Sequence, residues 1–175
     1  HSAGTESYRK KLAEYYQSNG IQIDYTNLIV TTGGSEAILF GLLSCLDAGD
    51  EVIIPEPLYA NYNGFAIAGD IVIKPITSHI ENNFALPPVS EFEKLISPKT
   101  KAILICNPNN PTGTIITHNE LDFLLNKIPN NIIVVHDEAY AEYVIDKNFP
   151  DSILLQKKFN NLVILRSFSK IYGLA

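Results

Sequence analysis

The amino-acid sequence predicts an α/β fold with a mostly parallel central sheet and helices on both of its faces. Short, almost wholly apolar runs rich in β-branched residues recur along the chain, and amphipathic stretches lie between them. Apolar strands that alternate with helices are typical of a parallel sheet buried on both faces. At 175 residues, 46% of them hydrophobic, the chain has enough apolar material for the core of one ordinary domain.

Four helices are predicted from capping residues and apolar periodicity. They begin after Thr5, at Ser35, near Val89 and after Thr117. Ser35 is expected to cap the second helix, with Glu36 in its electropositive first turn. Thr117 and Glu120 form a Thr-x-x-Glu capping box, which is a specific signal for a helix start.

Six strands are predicted from the apolar, β-branched runs. They cover residues 27–31, 51–55, 70–76, 101–106, 131–136 and 161–165. The fourth of these is almost wholly apolar, as expected for a central strand.

Composition excludes several classes of protein. The 13 basic and 19 acidic residues give a net charge of −6, which argues against binding to nucleic acid or to a membrane surface. No apolar run approaches the ~18 residues of a membrane helix. Two cysteines, Cys45 and Cys106, are too few for a disulfide framework and favour a cytoplasmic setting. The chain contains no methionine, which indicates processed ends or an excerpt from a longer protein.

Chemically capable residues follow five of the predicted strands. Ligands of an open parallel sheet bind beyond the carboxyl ends of its strands. At those positions the chain carries Gly33-Gly34-Ser35, Tyr59, Asn110, Asp137 with Tyr140, and Ser167 with Lys170. Each residue alone has an ordinary structural interpretation, so the prediction of a site depends on their convergence. His136, Glu138 and Arg166 are interpreted as structural, because His136 should point away from Asp137 across the strand.

Three ordered motifs resemble one enzyme family. They are Asn-Pro-Asn-Asn-Pro-Thr-Gly at 107–113, His-Asp-Glu-Ala-Tyr at 136–140 and Ser-Phe-Ser-Lys at 167–170. In this order and spacing they are similar to the motifs of class I/II, fold-type I pyridoxal-phosphate-dependent aminotransferases. Segments 33–37 and 57–62 match as well, so the resemblance covers nearly the whole chain. The implied fold is the large, cofactor-binding domain of that fold type, and the aspartate/aromatic type of enzyme is favoured.

The resemblance implies an amino-group transfer between an L-amino acid and a 2-oxoacid, with pyridoxal 5'-phosphate as cofactor and no metal. Lys170 is implied to form the Schiff base with the cofactor and then to move a proton as general base and acid. A lysine in this role is expected to be buried. Asp137 is implied to pair with the pyridine nitrogen, and Tyr140 completes the catalytic set.

The remaining cofactor contacts are implied in the same way. Asn110 and Tyr140 are expected to hydrogen-bond the phenolic oxygen of the cofactor, and Tyr59 to stack on its ring. The phosphate is expected at the N-terminus of the second helix, at Gly33, Gly34 and Ser35, with help from the Ser167 hydroxyl.

The resemblance also implies that residues 1–175 are one cofactor-binding domain of a larger protein. The family's amino-terminal arm, its last sheet strand and its carboxyl-terminal small domain are expected to lie outside this chain. The parent protein is expected to be a homodimer, and the isolated chain to be inactive.

Three alternatives are weighed. A pyridoxal-phosphate carbon–sulfur β-lyase of the same fold shares Asn110, Asp137, Tyr140 and Lys170. A nucleotide-binding module is disfavoured, because no Gly-x-Gly-x-x-Gly follows the first strand and no Walker motif occurs. A catalytically silent binding domain is disfavoured by the complete set of cofactor contacts.

Overall fold

A five-stranded, all-parallel sheet forms the centre of the computed structural model, which describes residues 2–174. The strand order is β2-β1-β3-β4-β5. The strands are β1 (Glu51–Glu56), β2 (Val72–Thr77), β3 (Thr100–Cys106), β4 (Ile133–Asp137) and β5 (Leu162–Leu165). The predicted α/β class with a parallel sheet is confirmed.

The described residues contain six α-helices. They are α1 (Glu6–Ser18), α2 (Gly34–Cys45), α3 (Asn61–Ala68), α4 (Val89–Leu95), α5 (His118–Lys127) and α6 (Ser152–Lys158). Of these, α2 to α6 pack on the two faces of the sheet. None of the helices in residues 2–174 is long and apolar enough to cross a membrane.

Alternate residues of the strands pack into two separate hydrophobic cores, one on each face of the sheet. Ile103 and Ile105 of β3 pack with α4, α5 and α6 on one face of the sheet. Ala102 and Leu104 of the same strand pack with α2 and α3 on the other face. This period-2 alternation, with both faces covered, explains why the strand is apolar at almost every position.

The segment predicted as the first strand is not a strand in this structure. Residues 28–31 have no regular secondary structure; the amide of Val30 donates to the carbonyl of Ala3 at 3.1 Å, but no ladder partner is present among residues 2–174. Strand preference is realised only where a neighbouring strand supplies hydrogen bonds and packing. The sheet therefore has five strands in the described residues instead of the six predicted.

The start of α2 also differs from the prediction. The N-cap is Gly33 and the helix begins at Gly34, so Ser35 lies one residue inside the helix and does not cap it. The free backbone ahead of the helix is instead met by Glu36, whose carboxylate accepts from the Thr32 amide at 2.6 Å and from the Thr32 hydroxyl at 3.0 Å. Glu36 thus fixes the residue that precedes the N-cap, and no side chain caps the amides of the first helical turn.

The capping box of α5 is confirmed, and two short helices were not predicted. The Thr117 hydroxyl accepts from the Glu120 amide at 3.4 Å, and the Thr117 amide donates to the Glu120 carboxylate at 2.8 Å. The unpredicted helices are α3 and α6. They have eight and seven residues, and neither was recognised from the sequence, although α4, also of seven residues, was.

Candidate active site

One cleft at the carboxyl ends of the strands collects almost all of the predicted site residues. Its lining includes Gly34, Ser35, Tyr59, Asn110, Asp137, Tyr140, Ser167 and Lys170. Gly33 lies beside this lining, at the N-cap of α2. The register explains the convergence, because Asp137 stands opposite both Cys106 and Leu165 at the ends of three neighbouring strands.

Asp137 is a buried carboxylate with two donors and no cationic partner. Its residue is 5% exposed. Oδ2 accepts from the Tyr62 hydroxyl at 2.7 Å, and Oδ1 accepts from the Ala139 amide at 3.0 Å. Burial raises the pKa of Asp137, and these two hydrogen bonds offset the rise only in part. No basic side chain in residues 2–174 forms an ion pair with it, so the carboxylate is open to a cation within the cleft.

Two asparagines of the 107–113 loop hold the loop in shape. Asn107 is fully buried, and its side chain closes the loop by bonding the Ile116 carbonyl at 3.0 Å and the Ile116 amide at 2.9 Å. Asn109 donates to the Pro57 carbonyl at 3.0 Å and accepts from the Thr112 amide, also at 3.0 Å. The first two asparagines therefore tie the loop to the residue that follows β1 and to the segment that leaves the loop.

Asn110 and Tyr140 face the cleft together. The Asn110 side-chain amide lies 3.5 Å from the Tyr140 hydroxyl, a long contact in which both groups keep free capacity for a further hydrogen bond. The two residues come from neighbouring strand ends, after β3 and β4. An oxygen atom placed between them would receive two donors.

Tyr59 is held at one wall of the cleft by two neighbours. Its hydroxyl accepts from the Asn61 side chain at 2.7 Å. Its ring meets the Tyr62 ring edge to face, with centroids 5.4 Å apart and planes at 89°. The ring is half-buried and fixed in orientation before any ligand arrives.

The N-terminus of α2 forms the other end of the cleft. The first backbone bond into this 12-residue helix runs from the Ala37 amide to the Gly33 carbonyl at 3.2 Å, so the amides of Gly34 and Ser35 have no acceptor within the helix. Ser167 lies close to Gly34, and its hydroxyl bonds the Ser169 hydroxyl at 2.8 Å. Free amides, a positive helix end and hydroxyls are the groups that bind a phosphate.

Lys170 lies at the rim of the cleft, with its Nζ 5.1 Å from the centre of the Tyr140 ring. The sequence analysis expected this lysine to be buried. In the structure of residues 2–174 it is exposed, so this expectation is wrong there. The segment after β5 has no regular secondary structure, and its aromatic contact with α1 is made by Phe168, whose ring centre lies 5.5 Å from that of Tyr15, and not by Lys170.

Comparison with known proteins decides the family. All of residues 1–175 match the family described as aminotransferase class I and II. The chain belongs to the aminotransferase class I and II family. The resemblance read from the three motifs is thereby confirmed, and so is the cofactor of this family, pyridoxal 5'-phosphate.

Two relatives of this aminotransferase chain are histidinol-phosphate aminotransferases. Histidinol-phosphate aminotransferase of Staphylococcus carnosus is 36% identical over 98% of this chain and 46% of its own length. Histidinol-phosphate aminotransferase 2 of Carboxydothermus hydrogenoformans is 37% identical over 98% of this chain and 45% of its own length. The chain thus spans about half the length of the curated relatives it matches.

Solved structures of other aminotransferases share the fold. The aspartate aminotransferase of Thermotoga maritima superposes with a TM-score of 0.88 at 28% identity, covering 98% of this chain and 46% of that one. The aromatic aminotransferase of Pyrococcus horikoshii gives a TM-score of 0.85 at 28% identity, covering 98% and 47%.

Two cleft residues of the aminotransferase chain were missed from the sequence. Tyr62 and Cys106 both line the cleft, and both are buried. Burial raises the pKa of the Cys106 thiol to about 11, so it stays protonated at neutral pH. The available signal for Tyr62 was its position three residues after Tyr59, which puts both rings on one side of a helical turn.

Behind the sheet, the residues interpreted as structural form a buried network. His136 and Glu138 are fully buried, and both contact the Ser152 hydroxyl. Glu138 Oε2 accepts from Arg166 Nε and Nη2, each at 2.8 Å. Arg166 also reaches the cleft lining, so this network connects the rear of β4 to the segment that carries Ser167 and Lys170.

Proposed function

We propose that this chain is the cofactor-binding domain of an enzyme that transfers an amino group between an L-amino acid and a 2-oxoacid. One observation supports the proposal above the others: Asp137, a buried carboxylate that forms no ion pair with any of residues 2–174, lies in the same cleft as Lys170 and the free N-terminus of α2. When bound, pyridoxal 5'-phosphate supplies an electron-withdrawing ring that stabilises negative charge at the substrate α-carbon.

Asp137 is the group that would hold the ring nitrogen in its protonated form. Burial makes an unpaired carboxylate costly, and a cation close to Oδ1 or Oδ2 removes that cost. A neutral amide at this position would favour the protonated nitrogen far less.

Lys170 is the residue that would bond the cofactor through its Nζ and later move a proton as general base and acid. The Nζ already lies over the Tyr140 ring, on the cleft side of the loop. Tyr140 and Asn110 would donate to the phenolic oxygen, since their facing groups leave room for one acceptor.

The other contacts would fix the cofactor in place. Tyr59 supplies a flat, pre-oriented ring for stacking. The amides of Gly34 and Ser35 and the hydroxyl of Ser167 would take the phosphate, with Gly33 allowing the backbone to enter the helix.

For the substrate, the relatives favour histidinol phosphate over the aspartate/aromatic type expected from the sequence. The relatives that carry that name are 33–37% identical to this chain, whereas the aspartate and aromatic aminotransferase structures are 26–28% identical. We propose a homodimeric, cytoplasmic parent protein on the same family grounds.

The test uses the full-length protein. We expect added pyridoxal 5'-phosphate to give a visible absorption band, and borohydride to fix the cofactor to the peptide that contains Lys170. Lys170→Ala should lose the trapped product, while Lys11→Ala, on the exposed face of α1, should keep it. Absence of the band in the unsubstituted protein would overturn the proposal.

Product analysis separates the candidate reactions. Transfer of the amino group from histidinol phosphate to 2-oxoglutarate, faster than from aspartate or phenylalanine, is the expected result. Release of pyruvate and ammonia from cystathionine, without transfer, would instead identify the carbon–sulfur β-lyase.

A further inference from the structure

Tyr62 is the side-chain partner of Asp137. It lies in the first turn of α3 and is 1% exposed, and its hydroxyl donates to Asp137 Oδ2 at 2.7 Å. The ring packs in the core shared by α2, α3 and the sheet, so its position is set by that core and not by a ligand. The bond therefore exists before any cofactor enters.

The two oxygens of Asp137 are held by different kinds of donor. Oδ1 is held by the amide of Ala139, two residues away, which any sequence at 139 other than proline would supply. Oδ2 is held by a side chain 75 residues away in the sequence. Tyr62 is therefore the donor that depends on one particular side chain. Its hydrogen bond fixes the rotation of the carboxylate about the Cβ–Cγ bond of Asp137.

The hydroxyl also acts on the charge of Asp137. Burial favours the neutral carboxylic acid, and a donor to a carboxylate oxygen favours the ionised form. The other groups that face Asp137 contribute less: the Lys170 ammonium lies in the cleft, His136 lies behind the strand, and the Cys106 thiol is neutral. Burial also holds the pKa of Tyr62 far above its ordinary range, so the hydroxyl remains a donor at every working pH.

We infer that Tyr62 is a positioning residue that keeps Asp137 ionised and aimed at the ring nitrogen of the cofactor; this rests on the proposed function. The same side chain abuts Tyr59 at 89°, so one residue orients both the charge partner and the stacking ring. Phenylalanine at 62 would keep the edge-to-face contact and lose only the donor, which separates the two effects.

The experiment titrates Asp137 in the full-length, cofactor-free protein by carboxyl ¹³C NMR, with the signal assigned by its loss in Asp137→Asn. We expect the pKa of Asp137 to be higher in Tyr62→Phe than in the unsubstituted protein. The Kd for pyridoxal 5'-phosphate should rise about tenfold, as expected for one hydrogen bond to a charged group. Tyr25→Phe is the matched control, because Tyr25 contacts Arg9 of α1 and does not line the cleft, and it should change neither quantity.

A second substitution tests the same bond in the opposite direction. 3-Fluorotyrosine at position 62 is a stronger donor than tyrosine, so it should lower the pKa of Asp137 while leaving the ring in place. A purely structural role for Tyr62 would not produce opposite shifts in the two variants.

The outcomes are distinct. An unchanged Asp137 pKa in both variants would overturn the inference, and so would a changed pKa with an unchanged Kd. Failure of the unsubstituted protein to bind pyridoxal 5'-phosphate would overturn the proposed function, and this inference with it, whatever the NMR titration shows.

Discussion

Asp137 and Glu138 are neighbours in the sequence, but they lie on opposite faces of the sheet and their pKa values move in opposite directions. Burial raises the pKa of Asp137. Burial acts on Glu138 in the same sense, but His136, the Arg166 guanidinium and the Ser152 hydroxyl outweigh it and lower the pKa of Glu138. The Glu138 carboxylate thus has a cationic partner within the protein, Arg166, whereas the Asp137 carboxylate can still pair with a cation in the cleft.

Asp137→Asn should stabilise the cofactor-free, full-length protein at pH 7 by roughly 1 kcal/mol, because it removes an unpaired buried charge. The folded-state pKa of Asp137 is raised, so the folded state binds a proton more readily than the unfolded state. The destabilisation of the folded state by charged Asp137 is therefore complete above the folded-state pKa. It is lost as the pH falls toward the ordinary pKa of aspartate.

Urea unfolding at several pH values checks this expectation, and the advantage of Asp137→Asn should shrink on acidification. The same variant should bind pyridoxal 5'-phosphate more weakly. A less stable Asp137→Asn at pH 7 would contradict the description of Asp137 as an unpaired charge.

Arg166→Met should destabilise the protein, because it leaves Glu138 without its cationic partner in a fully buried site. Loss of one partner of a buried ion pair costs about 3–5 kcal/mol, and we expect roughly 2–3 kcal/mol here because the Arg166 side chain is 36% exposed. The measurement is chemical denaturation of the full-length protein. The double variant Arg166→Met/Glu138→Gln should recover part of the loss. Lys11→Ala, which breaks an exposed pair with Glu14, should leave stability unchanged.

Thr117→Ala should cost about 1 kcal/mol of unfolding free energy, because α5 loses the side-chain acceptor of its capping box. Thr117→Ser keeps the hydroxyl and is the matched control. Denaturation midpoints of the two variants check the expectation, and equal midpoints would show that the cap does not stabilise α5.

Gly4→Ala should destabilise the segment ahead of α1. Gly4 has φ +90°, and a β-carbon there would lie 2.8 Å from Cβ of Val30. Both the left-handed backbone and the close approach oppose a side chain, so a loss of more than about 1 kcal/mol is expected. Gly41→Ala, in the middle of α2 with open space around it, should instead be neutral or stabilising. Thermal unfolding compares the two, and a neutral Gly4→Ala would contradict the expected clash.

Local patterns in the sequence predicted most of the fold. The strand 101–106 and the capping box at Thr117 were located well because each signal lies within a few consecutive residues. The strand predicted at 27–31 was wrong, because a strand forms only where a neighbouring strand supplies its hydrogen bonds. The N-cap predicted at Ser35 was wrong, because the residue at which a helix begins depends on the backbone conformation of the folded chain. Helices α3 and α6 were not recognised from the sequence.

The sequence by itself determined the α/β class, the family motifs and most of the residues that meet in the cleft, since each of these signals lies within a short, contiguous segment. Only the tertiary structure decided how those residues are connected. The bond from Tyr62 to Asp137 joins two segments that only packing brings together. The ion pair of Arg166 with Glu138, and the lack of one at Asp137 among residues 2–174, are also seen only in the folded chain. Burial, which raises the pKa of Asp137, and the contacts that outweigh it at Glu138 likewise arise from long-range packing, so no local pattern could assign them.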